Sequence, residues 1–132
     1  MIEIFSFGTL CKDRAEPLPN FTMMVDLGDQ LHDPHIDSAF RELTGHDQRV
    51  VDRVLATPGA EAMISSIVGV IMRFSSAKGP IRVGIACRGG RHRSVVIADA
   101  VFNMLGNLGE DASVNHIDIR RPVVKRPKEV SA

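Results

Sequence analysis

The run IRVGIACRGGRHRSVVIAD, residues 81–99, decides the fold class of this chain. Its first third, IRVGIA (81–86), is a short apolar run bounded by turn formers, which predicts a buried central strand. CRGGRHRS (87–94) follows, with Gly89 and Gly90 at its centre. From about Arg91 to Gly106 the apolar residues Ile97, Val101, Met104 and Leu105 recur at helical spacing. Strand, glycine loop and helix in immediate succession are the repeating unit of α/β proteins.

The flanks extend this reading. IEIFSFG (2–8) predicts a first strand, and FTMMVDLG (21–28) a second with Asp26 near its end. CKDRAEPLPN (11–20) and DQLHDPHID (29–37) read as loops. Asp47 can cap a helix whose apolar face is Val50, Val51, Val54 and Leu55. Thr57-Pro58 reads as the cap and first residue of a further helix reaching about Ala77, stopped by Lys78-Gly79-Pro80. ASVNHIDI (112–119) alternates and predicts a last strand. Strands alternating with helices predict a three-layer α/β fold, a small, mostly parallel sheet flanked by helices. One domain is expected over 1–119, with RRPVVKRPKEVSA (120–132) as a basic, flexible tail.

Composition narrows the function. The 132 residues carry 16 basic and 16 acidic side chains and no net charge. The balance is unevenly placed: residues 62–98 hold no acid, but do hold Arg73, Lys78, Arg82, Arg88, Arg91 and Arg93. There is no Trp or Tyr, which argues against an aromatic stacking platform for single-stranded nucleic acid. Cys11 and Cys87 do not make a disulfide framework, and the N-terminus lacks the pattern of a signal peptide. No apolar run reaches the roughly 18–20 residues of a membrane span. A cytoplasmic protein without membrane attachment is expected.

The loop itself is the recipe for an anion site. The first turn of a helix has N–H groups without intrahelical partners, and its dipole favours negative charge. Gly89 and Gly90 let the backbone approach an oxyanion. Arg91 and Arg93 offer forked donors that match phosphate, and Ser94 adds a hydroxyl. Cys87 opens two uses for such a site. The run also fits the C-x2-G-x2-R-S pattern of cysteine phosphatases, in which Cys87 attacks phosphorus and Arg93 binds the phosphoryl oxygens. Ala86 stands where that family usually has histidine, and the general acid would be Asp26 or Asp33.

GIACRGGRHRSVVIAD also resembles the G-C-T-G-G-[RK]-H-R-S-V-x-I-A-E signature of the C-terminal domain of the RapZ/YvcJ family. IEIFSFG resembles that family's opening strand. VDLGDQLHDPHIDSAFRELTGHD (25–47) resembles its F-D-V-R-F-L-x-N-P-H…L-R-x-x-T-G-x-D segment, and SVNHIDIRR its closing V-x-x-R-H-R-x-L-E-K. The resemblance implies an α/β domain similar to a phosphofructokinase subdomain, with a pocket for a phosphorylated amino sugar such as glucosamine-6-phosphate. It implies pocket residues Asp26, His35, Cys87, Gly89, Gly90, His92, Arg93 and Ser94, with Thr44 and His116 beside them. Arg88 replaces the family's small residue and can supply the charge lost where aspartate-valine-arginine reads Asp26-Leu27-Gly28. In adaptor members the resemblance further implies small-RNA binding and a homo-oligomer. The family's nucleotide-binding half has no counterpart here, since no G-x4-G-K-[ST] stretch is present, so no ATP hydrolysis is expected of what reads as a stand-alone C-terminal domain, with a homo-oligomer or a separate nucleotide-binding chain as its candidate partners. A binding and regulatory role rather than an enzyme is the leading expectation.

Two further groups of residues bear on chemistry. His32 and His35 among Asp29, Asp33 and Asp37 have loose spacing interrupted by Pro34, and read as polar loop residues rather than metal ligands. No metal and no cofactor are expected. Arg120, Arg121, Lys125, Arg126 and Lys128 can touch RNA phosphates, in weak and salt-sensitive binding.

Overall fold

The computed structural model describes residues 1–28, 39–74 and 79–122. Four strands, β1 (Ile2–Gly8), β2 (Met23–Asp26), β3 (Ile81–Cys87) and β4 (Ala112–His116), form one all-parallel sheet in the order β2-β3-β1-β4. The two central strands are the apolar runs expected of strands covered on both faces. The register sets Ile4 beside Val83 and Val114, and Ser6 beside Ile85 and His116. Because side chains alternate, Ile2, Ile4, Ile81, Val83, Ile85 and Cys87 share one face.

Three helices cover that face. Asp47 caps α1 (Gln48–Leu55) by accepting from the Arg49 N–H. α2 (Ala60–Phe74) leaves α1 at 88°. The helix starts two residues later than Thr57-Pro58 predicts, because Gly59 takes the left-handed backbone (φ +92°) and its carbonyl accepts the helical bond from the Met63 N–H. α3 (Arg93–Asn107) lies against β1, β3 and β4, and also touches both other helices. Val50, Val54, Ile64, Ile67, Val68, Ile71, Ile97, Val101 and Leu105 join the strand residues in one core. No single helix among the described residues is long and apolar enough to cross a membrane.

The opposite face is closed by the segment between β1 and β2. Phe21 was expected inside the second strand; it instead stacks on Phe7 (centroids 5.4 Å apart) and leans on Phe5. It also fills the space over Gly84, where a Cβ would stand 2.7 Å from the ring. β4 ends at His116, short of Ile119, because residues 117–121 turn across the carboxyl end of β1. This α/β architecture leaves the carboxyl ends of the parallel strands as one rim, where ligands gather in open sheets.

A candidate anion-binding loop at the carboxyl rim

Residues 88–92 run from the end of β3 to the start of α3. Gly90 has φ +74°, as a sharp strand-to-helix turn demands. Its side-chain position is not turned towards a ligand. A Cβ there would meet the Gly8 nitrogen at 2.6 Å and Asp118 Cβ at 2.8 Å. Gly8 faces the loop in the same way: a Cβ there would stand 2.6 Å from the Gly89 carbonyl carbon. The two glycines therefore let the ends of β1 and β3 pack backbone to backbone. Thr9 and Leu10 N–H groups donate to the carbonyls of Cys87 and Arg88, which fixes the loop's first half.

Inside the turn, the Cys87 sulfur accepts from the Gly90 N–H (3.3 Å), and its thiol donates to Ser94 Oγ (3.1 Å). Both side chains are buried. Arg93, the first residue of α3, is 1% exposed and among the largest fully buried side chains. Its guanidinium donates to the Gly28 carbonyl, just beyond β2. Gly28 N–H in turn donates to Oδ1 of the exposed Asp26 (2.9 Å). Cys87, Arg93, Ser94, Gly28 and Asp26 thus form one linked group. His92, the N-cap of α3, is buried, and its side chain makes no capping hydrogen bond. Arg88 is half-buried.

The other expected residues collect elsewhere. Arg91 turns away from the loop and donates to the carbonyls of Arg121 and Glu42 (2.6 Å each) and, more weakly, of Leu43 (3.4 Å). Its forked donors tie three chain segments together. Arg91, Thr44, His116 and Arg120 line a cleft of about 750 Å³ with His46, Asn115 and Ile119. Arg121 belongs to the framework, since its Nε donates to buried Asp118 (2.8 Å). His32, Asp33, His35, Asp37, Lys125, Arg126 and Lys128 lie outside the described residues.

Sequence reasoning missed the group that locks this rim. Asp118, fully buried, accepts from the Gly8 N–H (2.8 Å), Arg14 Nη2 (2.6 Å) and Arg121 Nε (2.8 Å). The one available signal was an acid inside an alternating run, HIDI. Cys11 sits against the same knot, its thiol donating to the Gly89 carbonyl (3.5 Å). Burial, reinforced by the Asp118 carboxylate, pushes that thiol up to about 11. It is therefore almost entirely neutral at pH 7 and a poor nucleophile.

Comparison with known proteins identifies the family. The family model described as the RapZ C-terminal domain matches residues 1–120. A nucleotide-binding protein of Corynebacterium jeikeium is 33% identical over 91% of this chain and 41% of its own length. A nucleotide-binding protein of Sphingopyxis alaskensis is 32% identical over 88% of this chain and 37% of its own. One from Rubrobacter xylanophilus is 42% identical over 58% of the chain and 27% of its own length. The chain spans about two fifths or less of these relatives. With the family matched from the first strand through the closing turn, this chain belongs to the RapZ C-terminal domain family.

Proposed function

We propose that this domain is a binding and regulatory module that recognises a phosphate monoester on a small amino sugar, of which glucosamine-6-phosphate is the type. The observation that carries the reading is the linked group Arg93–Gly28–Asp26 beside the start of α3, where His92 gives no side-chain cap. A guanidinium and a helix N-terminus suit the phosphate. An exposed carboxylate two residues from the Arg93 acceptor suits a sugar hydroxyl or ammonium. Gly89 and Gly90 shape the turn, Ser94 adds a hydroxyl, and His92 and Arg88 flank it. His35 is the further residue implied by the family pattern. The relatives' description as nucleotide-binding proteins is compatible with a phosphorylated ligand.

Calorimetry tests this. Glucosamine-6-phosphate binds, and glucosamine lacking the phosphate binds at least about tenfold more weakly, a difference of about 1.4 kcal/mol. Arg93→Lys keeps the buried charge but loses the fork, and weakens the ester about tenfold. Asp26→Asn weakens the amino sugar ester and leaves inorganic phosphate unchanged. Equal affinity for phosphorylated and unphosphorylated sugar overturns the reading.

A second reading rests on the position of the Cys87 sulfur, held by the Gly90 N–H and beside Ser94 Oγ. The Gly90 N–H suits a thiolate that attacks phosphorus, and the Ser94 hydroxyl, which accepts from the thiol, would turn to donate to the thiolate. The phosphorus–oxygen bond to the leaving alcohol breaks, a general acid such as Asp26 protonates that alcohol, and water then cleaves the thiophosphate. In this reading Cys87→Ser removes turnover and keeps phosphate affinity.

A further inference from the structure

A second cluster of chemistry-bearing side chains stands on the rim, apart from the linked group at Arg93. His46 comes from the turn before α1, Asp99 from the second turn of α3, and His116 from the end of β4. His116 Nε2 lies 2.8 Å from Asp99 Oδ1, and His46 Nε2 lies 3.3 Å from Asp99 Oδ2. One ligand atom from each residue falls within 4.8 Å of the other two. The two imidazole rings meet edge to face with centroids 5.1 Å apart.

The surroundings are those of a site built for a ligand. His116 Nδ1 is 2.6 Å from Oγ of the fully buried Ser6, which fixes the ring and leaves Nε2 as the ligand nitrogen. Gly45, next to His46, is pinned to α3: its N–H donates to the Arg91 carbonyl (2.6 Å), and a Cβ there would strike Val95 at 2.7 Å. The turn is thereby held where His46 reaches the carboxylate. His46 also lines two clefts, the one of about 750 Å³ shared with His116 and another of about 310 Å³ shared with Asp99. Open space therefore borders the cluster on two sides.

We infer that His46, Asp99 and His116 hold a divalent first-row transition-metal ion of the zinc class. Two imidazoles and one carboxylate suit zinc, cobalt, nickel or iron(II), and not the all-oxygen preference of magnesium or calcium. Three protein ligands leave at least one position for water or a ligand oxygen from the cleft. This site lies in a different part of the chain from the loop 29–37, whose His and Asp spacing is too loose for a metal.

Cobalt(II) is the direct probe, because it reports its own ligands. Metal-free protein is titrated with Co²⁺ and followed by visible absorption, then challenged with Zn²⁺. The expected result is one ion per chain, weak d–d bands without thiolate charge transfer, and displacement by Zn²⁺. His46→Ala changes an exposed turn residue and lowers Co²⁺ affinity at least about tenfold. Asp99→Asn does the same while keeping the side-chain shape. Affinity unchanged in both variants overturns the inference. So does a strong near-ultraviolet thiolate–cobalt band, which places the ion on Cys87 or Cys11. Absence of Co²⁺ binding by the unmodified protein overturns it as well.

Discussion

Two polar clusters on one rim differ in how they treat charge. Around Asp118 the carboxylate is fully buried, and its oxygens are taken by Gly8, Arg14 and Arg121 of the same chain. Around Asp99 the carboxylate is one-third exposed, and its partners are two imidazoles that border open clefts. The first carboxylate is closed: its oxygens take their partners from the chain itself, and removing a member strands a buried charge. The second is open, and its members can exchange one another for an outside partner. The lesson is that polar groups at a sheet's carboxyl rim divide into those spent wholly on the chain and those left bordering open space. Burial and partner identity tell them apart better than residue type.

The comparison breaks most sharply at the closed cluster. Asp118→Asn leaves Arg14 and Arg121 without their anion and lowers stability by about 3–5 kcal/mol, read from urea unfolding. A loss under about 1 kcal/mol would mean that the knot is not closed. Gly90→Ala forces a side chain into a left-handed backbone against the Gly8 nitrogen, and costs about 2–4 kcal/mol by the same measurement. Cys11 sharpens the picture through pH. Its thiol has an ordinary value of 9.0 and about 11 when folded, so between those values the unfolded chain loses its proton first. Stability therefore falls as pH rises from 9 to 11, by up to about 2 kcal/mol, and Cys11→Ala flattens that fall. The smallest effect belongs to the open cluster: His46→Ala changes metal-free stability by no more than about 0.5 kcal/mol. A large loss there would make His46 a structural member like Asp118.

How much of this was legible in the sequence depends on the range of the interactions. The unit β3–glycine loop–α3 was readable because an apolar run, two glycines and a helical stripe lie within 27 consecutive residues, 81–107. Asp47 as the cap of α1 was readable for the same reason. Boundaries failed where a distant group intervened: Phe21 leaves its strand to cover Gly84, and β4 stops early to deliver Asp118 to Gly8. Arg91 and Arg93 look equivalent in the loop, yet one is spent on carbonyls of Glu42 and Arg121 and the other reaches the end of β2. Nothing in their spacing distinguishes them, since the acceptors are set by the tertiary fold. Asp118 and His116 find their β1 partners 110 residues away, beyond any local pattern.

The reading of the rim as a phosphate-ester site is tested most directly by phosphorus NMR of the protein with glucosamine-6-phosphate and, separately, an activated aryl phosphate, followed over hours. The account predicts a shifted or broadened glucosamine-6-phosphate signal, reduced in Arg93→Lys, with no inorganic phosphate released from either compound. An unperturbed ester signal at millimolar concentration contradicts it, and inorganic phosphate that grows and disappears in Cys87→Ser replaces it with the phosphatase.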